Sequence, residues 1–349
     1  MEADNAWQRT LHGEPARYRG GLRALGAGLF AWLQPNGGLG ESNAGLVKGE
    51  GQSLLIDTLW DLPLTRRMLE ALAEPTREAP IRYLVNTHSD PDHFWGNQLV
   101  SGAEVIATEA AAVQMEEERP GAIHRLLGLA RLMGLLGAQP LPFPGKGTLK
   151  ATHNYFAAQM TGFDFEGIEP GPPTRSFAGE LTLQVGERAV ELIEVGPAHT
   201  EGDAIVHVPD SRTVFAADVL FIDVTPIMWV GPVERWIEAL DRILALEPQT
   251  VVPGHGPVTD ADGVRSVRDY WVQLESEARR HFEHGLDAER AALEILRSPT
   301  YAERFAGWDG AERVAVNVAM LYRGFEGKRG RVSQRERLGL LMRMARLAG

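Results

Sequence analysis

The sequence predicts an α/β (α+β) fold. Three observations carry this: a β-then-α pattern at about residues 22–108, a second at about 180–262, and helical periodicity between and after them. The 349 residues are 44% hydrophobic and 23% charged, enough to bury a substantial core without cross-links. The chain has no cysteine, which excludes thiol nucleophiles, iron–sulfur clusters and cysteine-held zinc. Any metal therefore has to be held by histidine and carboxylate. The net charge of −12 argues against nucleic-acid binding. No apolar run reaches bilayer length, and the N-terminal stretch MEADNAWQRTLHGEPARYRGG has no apolar core of the kind a secretory signal needs. The expected location is the cytoplasm.

The elements follow in order. Residues 1–20 read as a polar lead-in. AGLFAWLQP, NAGLVKG and QSLLIDT are apolar runs bounded by Gly, Asn or Asp, and read as strands. Leu62, Leu64, Met68, Leu69 and Leu72 have helical spacing. IRYLVNT (81–87) has the length of a buried strand, a helix is expected to start near His93, and AEVIAT (103–108) is the next strand. Residues 109–178 break the pattern and read as an insertion: helices rich in leucine to about 137, then loops carrying QPLPFPGKG and EPGPPT. Leu126, Leu127, Leu129, Leu132, Met133, Leu135 and Leu136 are too much apolar surface to leave in water. Strands are expected at 180–195, 204–208, 213–217 and 250–252, with VERWIEALDRILALEP an amphipathic helix before the last. From Val264 onward the chain reads as helical.

The chemistry concentrates in VNTHSDPDHFWGN (85–97). An apolar strand runs into His88, Asp90, Asp92 and His93, four metal-capable side chains in six residues. Carboxylates this close repel one another and are poorly solvated if buried, a penalty that divalent cations remove. Imidazole and carboxylate suit Zn, Mn or Fe. Three further segments each follow an apolar strand: LIEVGPAHTEGD with His199, TVFAADVLF with Asp218, and TVVPGHGPV with His255. A lone histidine is usually structural. Several at strand ends, in turns shaped by Gly or Pro, point to one shared site.

In that order, HSDPDH, GPAHTEGD, AADVLF and PGHGPV resemble the metallo-β-lactamase superfamily, whose motif H-x-H-x-D-H is followed by a His, an Asp and a final His. The resemblance covers about 22–108 and 180–262. It implies an αββα sandwich with a two-metal site between its sheets, a domain at 1–265 containing the insertion (about 109–178), and a helical C-terminal extension at 266–349. Carried over, His88, Asp90 and His199 would hold the first metal, Asp92, His93 and His255 the second, and Asp218 would bridge them. Asp92 and Asp218 would be the catalytic carboxylates. Asp90 stands where the family has histidine. The implied cofactor is two divalent ions, zinc first, with manganese or iron the alternatives that the hard oxygen of Asp90 opens.

The implied activity is metal-dependent hydrolysis, with a metal-activated hydroxide attacking an ester, lactone or thioester. Alternatives on the same site are a polyketide cyclase, a β-lactamase or a phosphoester hydrolase. Outside catalysis, the alternative is a metal- or ligand-binding module. No G-x-S-x-G elbow offers a competing nucleophile. Phe143, His153, Tyr155, Phe156, Phe163 and Phe165 of the insertion either line a pocket or pack the insertion down. Trp95 and Trp229 are expected near the mouth, His207 is expected to be structural, and His281 and His284 to lie on a solvated helix face. The Arg-rich segment 323–349 is expected to dock on the acidic body or on a second copy in a homodimer, with a membrane-surface or anionic-partner role as the alternative. The expected partner is a small-molecule substrate, with no nucleic acid and no membrane.

Overall fold

The computed structural model describes residues 8–139 and 143–348. The first part of the polar lead-in and part of the loop after residue 138 lie outside these. The chain runs β1 (Gly21–Gly26), β2 (Leu29–Leu33), β3 (Ala44–Lys48), β4 (Ser53–Ile56), α1 (Leu62–Thr76), β5 (Ile81–Val85) and β6 (Glu104–Thr108). The insertion contributes α2 (Glu109–Met115), α3 (Pro120–Gly137), α4 (Lys146–Met160) and β7 (Arg175–Phe177). Next come β8 (Glu180–Val185), β9 (Arg188–Glu194), β10 (Ala204–Val208), β11 (Thr213–Phe221), α5 (Val233–Ala245) and β12 (Thr250–His255). The chain closes with α6 (Ala261–Glu283), α7 (Ala288–Leu296), α8 (Pro299–Arg304), α9 (Val314–Phe325) and α10 (Gln334–Ala348).

Two sheets result. The first follows chain order, β1 to β7, antiparallel up to β4 and parallel from β4 onward. The second has the order β12-β11-β10-β9-β8, with only β11 and β12 parallel. Alternation along each strand gives every sheet two apolar faces. Leu33, Val47 and Val85 of the first sheet meet Leu192, Val206 and Phe215 of the second in a dry inner layer. The outer face of the first sheet is covered by α1 through Met68 and Leu72. The outer face of the second is covered by α5 and α6, with Trp236 and Trp271 fully buried. The order helix, sheet, sheet, helix is the expected αββα sandwich. Asp61 caps α1 by accepting a 2.7 Å bond from Leu64 N, an end effect worth about 1 kcal/mol.

Five expectations need correction. No α-helix starts near His93. Residues 91–93 and 97–99 form single 3₁₀ turns, and the His93 carbonyl accepts from Thr58 N and Asn86 Nδ2 rather than from a following helical turn. The run 180–195 is a hairpin, turned at Gly186 with φ +64°. The insertion ends in β7, an edge strand paired with β6. Finally, β11 continues past Ala217 to Phe221, and β12 past Val252 to His255, so Asp218 lies within a strand. The boundary expected at 265/266 falls inside the unbroken helix α6.

Candidate metal centre

The site forms where the strands of both sheets end, and each side chain reaches it by a separate local device. His88, Asp90, Asp92 and His93 lie on the turn after β5. His199 lies between β9 and β10, Asp218 in β11 and His255 at the end of β12. Ala217 adopts φ +45° where the register of β11 on β12 shifts, a costly conformation for a residue with a side chain. That kink places the Asp218 carboxylate next to Gly254. A Cβ at 254 would sit 1.9 Å from Asp218 Oδ1, so only glycine fits.

All seven expected residues converge. Asp218 is the hub: its Oδ1 is 3.1 Å from His93 Nε2, and its Oδ2 is 3.4 Å from both His199 Nε2 and His255 Nε2 and 3.9 Å from His88 Nε2. Asp92 Oδ2 lies 3.5 Å from His255 Nε2 and 3.8 Å from His93 Nε2. Asp90 Oδ2 lies 3.1 Å from His199 Nε2. Two groups have ligand atoms all within 4.8 Å of one another: His88 with His199 and Asp218, and Asp92 with His93 and His255. Asp90 stands beside the first group, its other oxygen 3.7 Å from the Arg337 guanidinium.

Three of the imidazoles are oriented from behind. Thr87 donates its hydroxyl hydrogen to Asp57 and so accepts from His88 Nδ1, 3.0 Å away. Asp57 Oδ2 accepts from His93 Nδ1 at 2.9 Å, and the Ile227 carbonyl from His199 Nδ1 at 2.7 Å. Each of these bonds leaves an Nε2 facing the centre. His88 Nε2 and His93 Nε2 are buried without a hydrogen-bond partner. Orphaned ring nitrogens among carboxylates are what a divalent cation satisfies, so the residues present fit such a group. His255 is held by its ring, stacked on Phe221 at 5.1 Å with planes 1° apart.

The electrostatics of the cation-free cluster show the same strain. Burial lowers His88, and neighbouring His93 adds to this, holding it well below the usual imidazole range. Burial would lower His93 too, but Asp218, Asp92 and Asp57 outweigh it and hold it well above. His199 is pushed up to about 9, the Asp90 hydrogen bond and the Asp218 charge overcoming burial. Asp90 is held below the carboxylate range because His199 and Arg337 outweigh its burial. Burial raises Asp92.

Sequence reasoning missed several neighbours of the cluster, and of these Asp57 alone carries a local signal. Asp57, at φ +59°, braces both Thr87 and His93. Asp203 accepts from the backbone N–H groups of Ala198 and Thr200 and from the Thr200 hydroxyl, fixing the His199 turn. Burial pushes its pKa up to about 6. Arg337 of α10 also bonds Glu118 and stacks 4.6 Å over the Trp229 ring. Asp57 was detectable: like the ligand motifs, it ends an apolar strand.

The cluster forms the floor of a cavity of about 310 Å³. Trp60, Trp95 and Trp229 line it from the body, Phe156 and Met160 from α4, Leu338 and Leu341 from α10. Of the six aromatic residues singled out in the insertion, only Phe156 reaches it. Phe163 and Phe165 pack on Trp60, Tyr155 donates to Glu312, His153 Nδ1 lies 3.0 Å from the Ala130 carbonyl, and Phe143 is exposed. His207 pairs with Glu191 on β9, and His284 is exposed.

An αββα sandwich with a His/Asp cluster at its strand ends defines a class of metal-dependent hydrolases. The pattern of the metallo-β-lactamase superfamily matches residues 37–255, and the chain belongs to that superfamily. It is similar to the 2,4-dinitroanisole O-demethylase subunit alpha of Nocardioides sp. (strain JS1661), 21% identical over 86% of this chain and 70% of the relative. It is also similar to the linear primary-alkylsulfatase of Pseudomonas sp. (strain ATCC 19151), 22% identical over 78% of this chain and 54% of the relative. Among solved structures it resembles the sec-alkylsulfatase Pisa1 from Pseudomonas sp., with a TM-score of 0.65 and 17% identity, over 88% of this chain and 50% of that one. The metallo-beta-lactamase from Pontibacter korlensis has a TM-score of 0.50 at 17% identity, over 71% of this chain and 98% of that one. The chain thus spans about half the length of the alkylsulfatases it matches.

Proposed function

We propose that the protein hydrolyses a carboxylic ester, lactone or thioester on a small substrate with an apolar body. In this reading His88, Asp90 and His199 hold one divalent cation and Asp92, His93 and His255 a second, with Asp218 between them. Zinc is the first candidate. Manganese and iron are the alternatives that the oxygen of Asp90 opens. Such cations supply Lewis acidity and make water a nucleophile near neutral pH.

The chain does the rest. Asp92 accepts a hydrogen bond from the attacking water and orients it. The tryptophan and leucine walls exclude bulk water and seat the apolar part of the substrate. Asp57, Thr87 and the Ile227 carbonyl keep the imidazoles from turning. The observation that carries the reading is the pair of buried, unpartnered Nε2 atoms on His88 and His93, in a cluster whose Asp90, Asp92, His199, Asp218 and His255 line an apolar cavity.

A second reading, hydrolysis of an alkyl sulfate ester, is favoured by the likeness to the alkylsulfatase fold over 88% of this chain. Arg337 lines the cavity and would face the anionic sulfate. The test is a panel of apolar aryl esters, lactones, thioesters, alkyl sulfates and a cephalosporin, run on zinc- and manganese-loaded protein. Turnover of an apolar ester, lost with a chelator and in Asp218→Ala, is the expected result. Turnover of the alkyl sulfate alone selects the second reading. An active Asp218→Ala variant would refute the site.

A further inference from the structure

The insertion has a surface feature that the site does not use. Residues 119–163 contain no Asp or Glu, but carry Arg119, Arg125, Arg131, Lys146 and Lys150, in a chain whose net charge is −12. Arg119, Arg125, Arg131 and Lys150 are exposed. Among the described residues none of the five makes an ion pair, whereas Arg residues elsewhere on the surface, such as Arg268 with Asp241, do.

The same helix leaves large apolar side chains in water. Leu129, Leu132, Leu135 and Leu136 of α3 are 38%, 50%, 67% and 45% exposed, and Phe143, just beyond, is 37% exposed. Arg125, Leu129, Leu132 and Leu136 follow the spacing i, i+4, i+7, i+11 and form one stripe. The opposite face packs inward through Ile123, Ala130, Met133 and Gly137. Ile123 and Leu126, near the start of the same helix, line the cavity above the cluster.

From this geometry we infer that the outer face of α3 docks on an anionic lipid surface. A helix with leucines on its outer face, flanked by unpaired cations, gains from both terms of interfacial binding: burial of apolar area at the headgroup boundary and attraction to negative lipid. A second copy of the chain fits less well, because a two-fold contact through this face would set the same cations against each other. The inference extends the proposed function, since α3 would join the lipid surface to the apolar cavity. Docking is measured without turnover, so the two readings fail independently.

The test is sedimentation of the full chain with vesicles of equal parts phosphatidylglycerol and phosphatidylcholine, and with phosphatidylcholine alone. Binding to the anionic vesicles, weakening as salt is raised, is the expected result. Leu132→Glu/Leu136→Glu and Arg125→Glu/Arg131→Glu should each lower the vesicle-bound partition roughly tenfold or more with an unchanged Tm. Should a double variant unfold, the single change Leu135→Ser at the most exposed leucine replaces it, with weaker binding again expected. Absence of binding to anionic vesicles, or variants that bind like the parent, would overturn the inference. So would a dimer in solution that Leu132→Glu dissociates, since the face would then belong to a second copy.

Discussion

At the scale of single residues, the site depends on side chains that never reach the substrate. Asp57 is the clearest case. It takes the Thr87 N–H at 2.8 Å, the Thr87 hydroxyl at 2.7 Å and His93 Nδ1 at 2.9 Å, so one buried carboxylate sets two neighbouring imidazoles. Asp57→Asn keeps the shape but removes the charge behind His93 and gives it a poorer acceptor. Loss of such an orienting partner lowers metal affinity about 10- to 100-fold. Calorimetric titration of the metal-free variant with zinc should show that loss with the fold intact. Affinity equal to the parent would mean that His93 is oriented by packing alone. The histidines themselves were legible because each stands at the end of an apolar strand, beside the Gly or Pro of a turn. The pairing of Asp57 with His93 was not, because 36 residues separate them and no periodicity links a strand end to a later turn.

At the scale of elements, the strands and most helices follow from apolar spacing, and the departures have local causes. Ala217 turns with φ +45° within β11, a conformation that no propensity predicts for alanine, so the strand was expected to stop there. The helix expected after His93 gives way to 3₁₀ turns in which the His93 carbonyl is held by Thr58 N and Asn86 Nδ2, both tertiary contacts. The role of α10 was also hidden. Its Arg337 lies between Asp90, Glu118 and the Trp229 ring, and so places a positive charge beside the first ligand group. That charge offsets the anionic oxygen which Asp90 brings in place of a neutral imidazole. It also opposes a divalent cation, by about 1 kcal/mol for partly exposed charges several ångström apart. Arg337→Met keeps the stem over Trp229 and removes the charge. The variant should bind its first divalent ion about fivefold more tightly. Unchanged or weaker binding in the same titration would show that Arg337 positions Asp90 more than it repels the ion.

At the scale of the whole molecule, the site is the meeting point of two sheets that reach it from opposite halves of the chain, so occupancy and global stability are linked. A cation that binds only the folded chain adds stability that grows with the logarithm of its free concentration over its Kd, and protons compete with it for the imidazoles. His199 sets the sign. Its pKa in the folded, cation-free protein is raised to about 9, against about 6.5 when unfolded. Its proton therefore stabilises the cation-free fold fully below about pH 6.5, and that contribution is lost as pH rises to about 9. Over the same window the imidazole becomes free to bind a cation, while the loaded protein, which carries no proton there, keeps its stability. The gap in Tm between zinc-loaded and chelator-treated protein should widen steadily from pH 6.5 towards 9. Scanning calorimetry at constant free zinc measures it. A gap that stays level or narrows would mean that His199 releases its proton well below this window, and that the Asp90 and Asp218 carboxylates do not hold it.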